Sequence, residues 1–238
     1  MDPAMFIRRN TAITATPLVP EIRLHLATEI TPIWQATEET LERSGLPPPY
    51  WAFAWAGGQA LARYLLDHPG SVAGRSVLDF GAGSGLVAIA AAKAGAASVL
   101  AAEIDHFAAA AIAANAALNG VNIAVTTADV LVTANFGGDL VTAGDVCYER
   151  PMAERVTAWL RVLAARGSLV LVGDPGRAYL PNESLRERAR YLVPTSRELE
   201  GRESRDGIVW EVRPAETLAG SVWKPVSKHL LRGKSSCG

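Results

Sequence analysis

Residues 77–86 read VLDFGAGSGL. An apolar run passes through Asp79 into three glycines at alternate positions, Gly81, Gly83 and Gly85. The stretch LVAIAAAKAG follows at once and reads as a helix. A strand, a glycine loop and a helix in this order open a nucleotide-binding βαβ unit. Glycine lets the loop backbone approach a ligand that any Cβ would obstruct. Outward from the loop the alternation continues. SVLAAE (98–103) is a strand and HFAAAAIAANAALNG (106–120) a helix. AVTTAD (124–129) is a short strand, GGDLVTAGD (137–145) another, PMAERVTAWLRVLAARG (151–167) a helix and SLVLVGDP (168–175) a strand. The pattern predicts an α/β protein with a doubly wound, mostly parallel sheet. YLVPTSRELE (191–200) and GIVWEVRP (207–214) alternate apolar and polar residues around SRDG, a turn signal, so they predict an antiparallel pair at the sheet edge.

Ahead of this core lies a segment of another character. TPIWQATEETLERSG (31–45) and GQALARYLLDHPG (58–70) read as helices, and the proline-rich, aromatic PPPYWAFAWAGG (47–58) lies between them. The expected division is an N-terminal extension with helices and an aromatic lid over 1–70, a catalytic domain over 71–214 and a tail over 215–238. MDPAM at the start reads as a vector-derived addition.

The formal net charge is −1, without the basic excess of a broad nucleic-acid surface. Cys147 and Cys237 are far apart, and His25, His68, His106 and His229 show no metal spacing, so neither a disulfide framework nor a zinc site is expected. No run is apolar enough to span a membrane. The presequence character of FIRRNTAITATP (6–17) is faint. A bacterial cytoplasm is the expected setting, or the mitochondrial matrix in a eukaryote. A monomer is favoured.

The loop also narrows the cofactor. A dinucleotide fingerprint needs glycine where Leu86 stands, and no Lys-Ser/Thr pair follows to make a Walker loop. Asp79 would repel a pyrophosphate but would suit the ammonium and sulfonium of S-adenosylmethionine. Taken alone, Asp79 could instead cap the following helix. Glu103, ending the second strand, can accept hydrogen bonds from both ribose hydroxyls, a device that nicotinamide proteins share. Asp129, after the third, can accept one from an adenine amino group. Gly81, Ala82, Gly83, Ile104 and Trp55 complete the expected cofactor site. The order of acids and loop favours S-adenosylmethionine over a nicotinamide cofactor.

Ligands of doubly wound sheets bind at the carboxyl ends of the strands. GDVCYE (144–149) leaves the fourth strand there, so Asp145 and Tyr148 are the candidate catalytic residues. Their D-x-x-Y spacing matches the D/N-P-P-Y/F stretch of amino-group methyltransferases, with Val146-Cys147 in place of the prolines. An amine must be neutral to accept a methyl group, and a free lysine with a pKa of about 10.4 is not. Asp145 can orient the amine and relay its proton, and Tyr148 can wall an alkylammonium. Tyr50, Trp51 and Trp55 are expected to line the substrate channel.

These residues carry a resemblance. PEIRLHLATE, PPYWAFAWAGGQALARYLLDHP, VLDFGAGSG, GDVCYE and LVGDPGRAYLP together resemble the lysine methyltransferases of the electron-transfer flavoprotein β-subunit, within the seven-β-strand protein methyltransferases. The resemblance implies a seven-stranded, Rossmann-like class I fold. It implies S-adenosylmethionine as donor, S-adenosylhomocysteine as product, and lysines of the flavoprotein β-subunit as acceptors. On this pattern Asp79, Gly81 and Gly83 form the glycine motif, Glu103 the acid after strand two, and Asp145 and Tyr148 the D-x-x-Y motif. Two departures stand out, Cys147 where the family often has Phe and Glu149 where animal enzymes have Asp. Other acceptors on the same fold remain open: ribosomal protein L11, a protein N-terminus, or a small amine such as nicotinamide. A nicotinamide-dependent oxidoreductase and an adenosine-sensing module are the remaining alternatives.

Overall fold

The computed structural model describes residues 2–28, 31, 33, 48–132, 137–181 and 184–214. The helix expected over 31–45 and the tail from 215 lie outside the described residues.

Seven strands form one sheet: β3 (Ser76–Phe80), β4 (Ser98–Ala102), β5 (Ala124–Thr126), β6 (Leu140–Gly144), β7 (Leu169–Asp174), β8 (Leu185–Pro194) and β9 (Ser204–Val212). Their order is β5-β4-β3-β6-β7-β9-β8, and β1 (Ala12–Ala15) and β2 (Arg23–Leu26) form a separate two-stranded sheet. All neighbours from β5 to β7 run parallel, whereas β9 is antiparallel to both β7 and β8. From β3 the chain winds one way through β4 and β5, then returns to place β6 on the other side. A crevice therefore opens between the carboxyl ends of β3 and β6, where such folds bind ligands.

Helices cover both faces, as buried parallel strands require. On one face, α2 (Ala56–Asp67) and α3 (Leu86–Lys93) share a core with Val77, Val99, Leu140 and Leu171. On the other, Val156, Leu160 and Leu163 of α5 (Arg150–Ala165) pack on Leu78, Val141 and Val170. The fourth helix, α4 (His106–Leu118), is capped by Asp105, whose carboxylate accepts the Phe107 N–H at 2.8 Å.

The start of α2 approaches the sheet without side chains between them. A Cβ on Gly57 would lie 2.6 Å from the Gly173 carbonyl carbon, and one on Gly144 3.0 Å from the Gly58 Cα. This contact of backbone on backbone explains Gly57, the glycine that ends β6 and Gly173 near the end of β7.

The edge differs from the sequence expectation. SRDG (204–207) lies inside β9, and the reversal falls at 195–203, where α6 (Arg197–Glu200) stands. The stretch 191–200 therefore leaves its strand after Pro194. Burial favours this register, because it places Ile208, Val209 and Val212 in the interior.

Residues 3–28 add elements that were not anticipated. Asp2 caps α1 (Pro3–Asn10), and β1 (Ala12–Ala15) pairs antiparallel with β2 (Arg23–Leu26). Asn115 of α4, fully buried, stitches this hairpin to the glycine loop. Its Oδ1 accepts the His25 N–H at 2.7 Å and its Nδ2 donates to the Ser84 carbonyl at 2.8 Å. Asn115→Leu orphans the Ser84 carbonyl and the His25 N–H, at about 1–3 kcal/mol per unsatisfied group. It should weaken ligand binding at the glycine loop about tenfold or more by calorimetry.

Candidate active site

The crevice at the β3 and β6 ends is a cleft partly open to solvent, with about 400 Å³ of free space counting the solvent at its mouth. Tyr50, Phe53, Trp55 and Gly58 line it from the N-terminal side, and Asp79, Gly81, Ala82, Gly83, Gly144 and Asp145 from the sheet. Asp79, the glycine loop and Asp145, far apart in sequence, thus share one cleft.

Asp79, the penultimate residue of β3, is buried. Its Oδ2 accepts the Ala88 N–H of α3 at 3.1 Å, and its Oδ1 accepts the Thr142 hydroxyl at 2.8 Å. It therefore caps a helix and faces the cleft at once. Burial pushes its carboxyl up to about 7, against the pull of these two donors. A buried carboxyl so poised is a ready site for a cation, which would restore its charge.

Glycine torsions shape the loop, with φ of 62° at Gly81 and 53° at Gly83, a region that favours glycine. The Gly83 N–H donates to Glu103 Oε2 at 2.9 Å and the Asp105 N–H to Oε1 at 3.2 Å. Burial raises Glu103 above the usual carboxylate range. Each of its oxygens keeps a lone pair for a diol. Ile104 beside it is 63% exposed, an apolar surface open to a flat ring. These features fit S-adenosylmethionine: a buried acid for its ammonium, a loop without Cβ atoms, and an acid for its ribose.

Asp129 stands apart. Its Oδ1 accepts the Leu131 N–H at 2.9 Å, its Oδ2 faces Arg155 at 3.6 Å, and it does not line the cleft. Its carboxylate closes its own turn, outside the cleft that joins Asp79 and Asp145.

Asp145 leaves β6 in the left-handed region, with φ 55°. Its Oδ2 accepts the Gly58 N–H at 2.7 Å, and its Oδ1 takes Arg177 Nη2 at 3.1 Å. Burial pushes its carboxyl up to about 7, and the Arg177 guanidinium only partly opposes this. Near neutrality such a group can take up or release a proton. Burial also pushes the neighbouring Cys147 thiol up to about 12, which removes it as a nucleophile.

The mouth is aromatic. Tyr50 and Tyr148, both about half exposed, have ring centroids 5.7 Å apart, and Tyr50 lies 6.2 Å from Trp55. Burial raises the Tyr148 phenol above its ordinary value. Trp51 is a correction to the expected channel. It is 3% exposed and packs with Ile7, Ala27, Ala108 and Ala111 beneath the N-terminal helix. Tyr50–Ala52 form a single 3-10 turn, so adjacent side chains diverge by about a third of a circle. Tyr50 points out and Trp51 points in.

Several participants escaped the sequence reading. Thr142 sits opposite Asp79 in the β3–β6 register. A hydroxyl at an interior strand position was the available signal, since a buried polar group needs a partner. Arg177 lies in the GDPGR block that helped carry the resemblance, yet no role was assigned to it. Among the described residues no cluster of three or more His, Cys, Asp or Glu could hold a metal ion. No helix among them is long and apolar enough to cross a membrane.

Comparison with known proteins adds the following. Residues 60–147 match the family described as ribosomal protein L11 methyltransferase (PrmA). The electron transfer flavoprotein beta subunit lysine methyltransferase of Mus musculus is 39% identical over 226 residues, covering 90% of this chain and 86% of that protein. The Homo sapiens protein of the same name is 38% identical over 226 residues, covering 90% of this chain and 84% of that protein. Among solved structures, a candidate RNA methyltransferase from Pyrococcus horikoshii superposes with a TM-score of 0.50 at 17% identity. It covers 66% of this chain and 83% of that one, and the likeness speaks for the fold alone.

Proposed function

This chain belongs to the electron-transfer flavoprotein β-subunit lysine methyltransferases, and on that premise we infer that it transfers methyl groups from S-adenosylmethionine to lysine side chains of a flavoprotein β-subunit. The observation that carries the reading is the single cleft in which Asp79 and the glycine loop meet Asp145. S-adenosylmethionine supplies an electrophilic methyl group on a sulfonium. Asp79, Gly81, Ala82 and Gly83 would hold its amino-acid end, and Glu103 its ribose beside Ile104. Asp145 would receive the acceptor ammonium, orient its nitrogen and take up its proton. Tyr50, Trp55 and Tyr148 would wall the lysine stem and shed water from the reacting nitrogen. Most of the acceleration then comes from positioning.

A narrow aromatic mouth suits a lysine presented by a folded protein. We place the reaction in a bacterial cytoplasm, a setting supported by a cysteine content with no closely spaced pair. The test incubates purified enzyme and S-adenosylmethionine with the flavoprotein β-subunit, ribosomal protein L11 and nicotinamide in parallel, read by mass spectrometry. Mass gain on the β-subunit alone is expected. An unchanged β-subunit beside methylated L11 would move the assignment to the family that matches residues 60–147.

The two raised carboxyls give the free protein a pH signature. With folded values of about 7, Asp79 and Asp145 contribute stability that is fully present below their unfolded pKa of about 3.9. That contribution is lost as pH rises through 7. A cation bound at Asp79 reverses the sign, because it favours the ionised carboxylate. Adenosylmethionine affinity should therefore fall as pH drops below 7, by up to about tenfold per unit for one coupled proton. Asp79→Asn should bind more weakly and lose this pH dependence. Titration calorimetry from about pH 5.5 to about 8.5 checks both.

A further inference from the structure

Arg177, in the loop after β7, reaches Asp145 at the cleft wall, and carboxyl groups outnumber guanidinium groups around it. Its Nη2 touches Asp145 Oδ1 at 3.1 Å and Glu200 Oε1 at 3.4 Å. Glu200 Oε2 takes Arg205 at 2.7 Å. Asp174, fully buried, accepts the Gly176 and Arg177 backbone N–H groups with Oδ1, each at 2.7 Å. Its Oδ2 is buried without a partner, and so is Arg177 Nε. Formally, among the described residues, the carboxylates of Asp145, Asp174 and Glu200 are met by two guanidinium groups, those of Arg177 and Arg205. With all three ionised this buried cluster is one cation short; burial raises both Asp145 and Asp174, so a proton fills that place at rest and a substrate ammonium can take it over. The other groups facing Asp145 are the neutral Cys147 thiol and the Gly58 N–H.

We propose that Arg177 is the resident counter-ion of the acceptor site, holding Asp145 while no lysine is present and shifting onto Glu200 when the substrate ammonium enters. The proposal rests on the reading of Asp145 as the acceptor carboxylate. Arginine suits this task because its guanidinium keeps its proton under all working conditions, so it screens Asp145 without being consumed as an acid. The path is short, since Glu200 is already within reach of the same nitrogen. The Trp55 ring, 5.7 Å from the guanidinium carbon, gives it a face to move along. With Arg177 on Glu200, the lysine ammonium pairs with Asp145. One N–H bond then breaks and one O–H bond forms on Asp145, leaving a neutral amine and an unchanged cluster charge. Asp174 keeps the Arg177 backbone in place throughout.

Removing Arg177 should therefore affect low and high pH in opposite ways. In Arg177→Gln the acidic limb of kcat/KM for the β-subunit should move to higher pH by about 1–3 units, because the cation that favours the ionised carboxylate is gone. Above that limb its KM should equal or fall below that of the parent, because the lysine no longer displaces a competitor. Arg177→Lys should restore the parent limb. Glu200→Gln removes the landing carboxylate and should raise KM for the β-subunit about tenfold, within the usual range of coupling between sites. Calorimetry with adenosylhomocysteine should give parent-like affinity for each variant. The proposal is overturned by a pH profile of Arg177→Gln parallel to the parent, or by an unchanged KM in Glu200→Gln. Should Arg177→Gln lose adenosylhomocysteine binding through misfolding, Glu200→Gln decides alone. Full turnover in Asp145→Asn would instead sink the acceptor reading itself.

Discussion

Asp145→Asn is expected to lower kcat by about 10²- to 10⁴-fold, the range for loss of a positioned general base. Adenosylhomocysteine binding should stay within about twofold of the parent, well inside the 1.4 kcal/mol that separates tenfold steps. Asparagine is the cleaner substitution. The backbone at 145 has φ 55°, and asparagine enters this region far more readily than alanine. Its amide oxygen can still accept the Gly58 N–H that Asp145 takes at 2.7 Å. What is lost is the capacity to become an anion beside an incoming ammonium and to carry its proton. Mass-spectrometric turnover on the β-subunit reads the effect. A variant with parent kcat would show that Asp145 shapes a turn and that the proton leaves elsewhere.

Gly173→Ala should be strongly destabilising for so small a change. Its Cβ would stand 2.8 Å from the Gly57 carbonyl carbon, 2.9 Å from Leu61 Cβ and closer still to the Gly57 oxygen. Flexible side chains can step aside, but a helix backbone cannot. The Gly173 carbonyl is also fixed by the Asp145 N–H at 2.8 Å. Overpacking against such a wall costs about 3 kcal/mol or more, at the upper end of its range. For a chain of this length each kcal/mol shifts Tm by about 2–4 °C, so a loss of about 6–12 °C is expected. Catalysis should fall with it, because a displaced α2 draws the Gly58 N–H away from Asp145. Gly70→Ala is the matched control, since its added Cβ would meet nothing within 4 Å. Scanning calorimetry that gave both variants the same Tm would refute the close approach of α2 and β7.

Most of the sheet could be read in advance because its central strands are buried on both faces. VLDF, SLVLVG and LVTAG are near-continuous apolar runs, and the intervening helices are long. The edge was harder. In 191–214 alternation marks a strand but does not fix its ends, and the turn-like SRDG is overruled by the burial of Ile208 and Val209 behind it. The hairpin of β1 and β2 was missed although RLHL alternates, since four-residue strands give little signal. In the site, Asp79, Glu103 and Asp145 were visible because acids at strand ends are unusual. Arg177 was not, because nothing in the sequence near it announces which carboxylates the fold will bring there. Trp51 was misplaced for a local reason: neighbouring aromatics look alike in sequence, and a tight turn sends them to opposite sides.

The position of β9 has a consequence for biosynthesis. This strand is the last of the sheet in the chain, yet it lies between β7 and β8, and Arg205, which neutralises Glu200, stands on it. Translation proceeds at about 5–20 residues per second, so a nascent chain carries Arg177 for about 1–6 s, and Asp145 for about 3–12 s, before Arg205 is made. During that interval β7 has a bare edge and the charges at the cleft lack their full complement. The enzyme should emerge from the ribosome catalytically silent and switch on only when its final strand slots home, leaving the unfinished edge as the stretch a chaperone has most reason to guard.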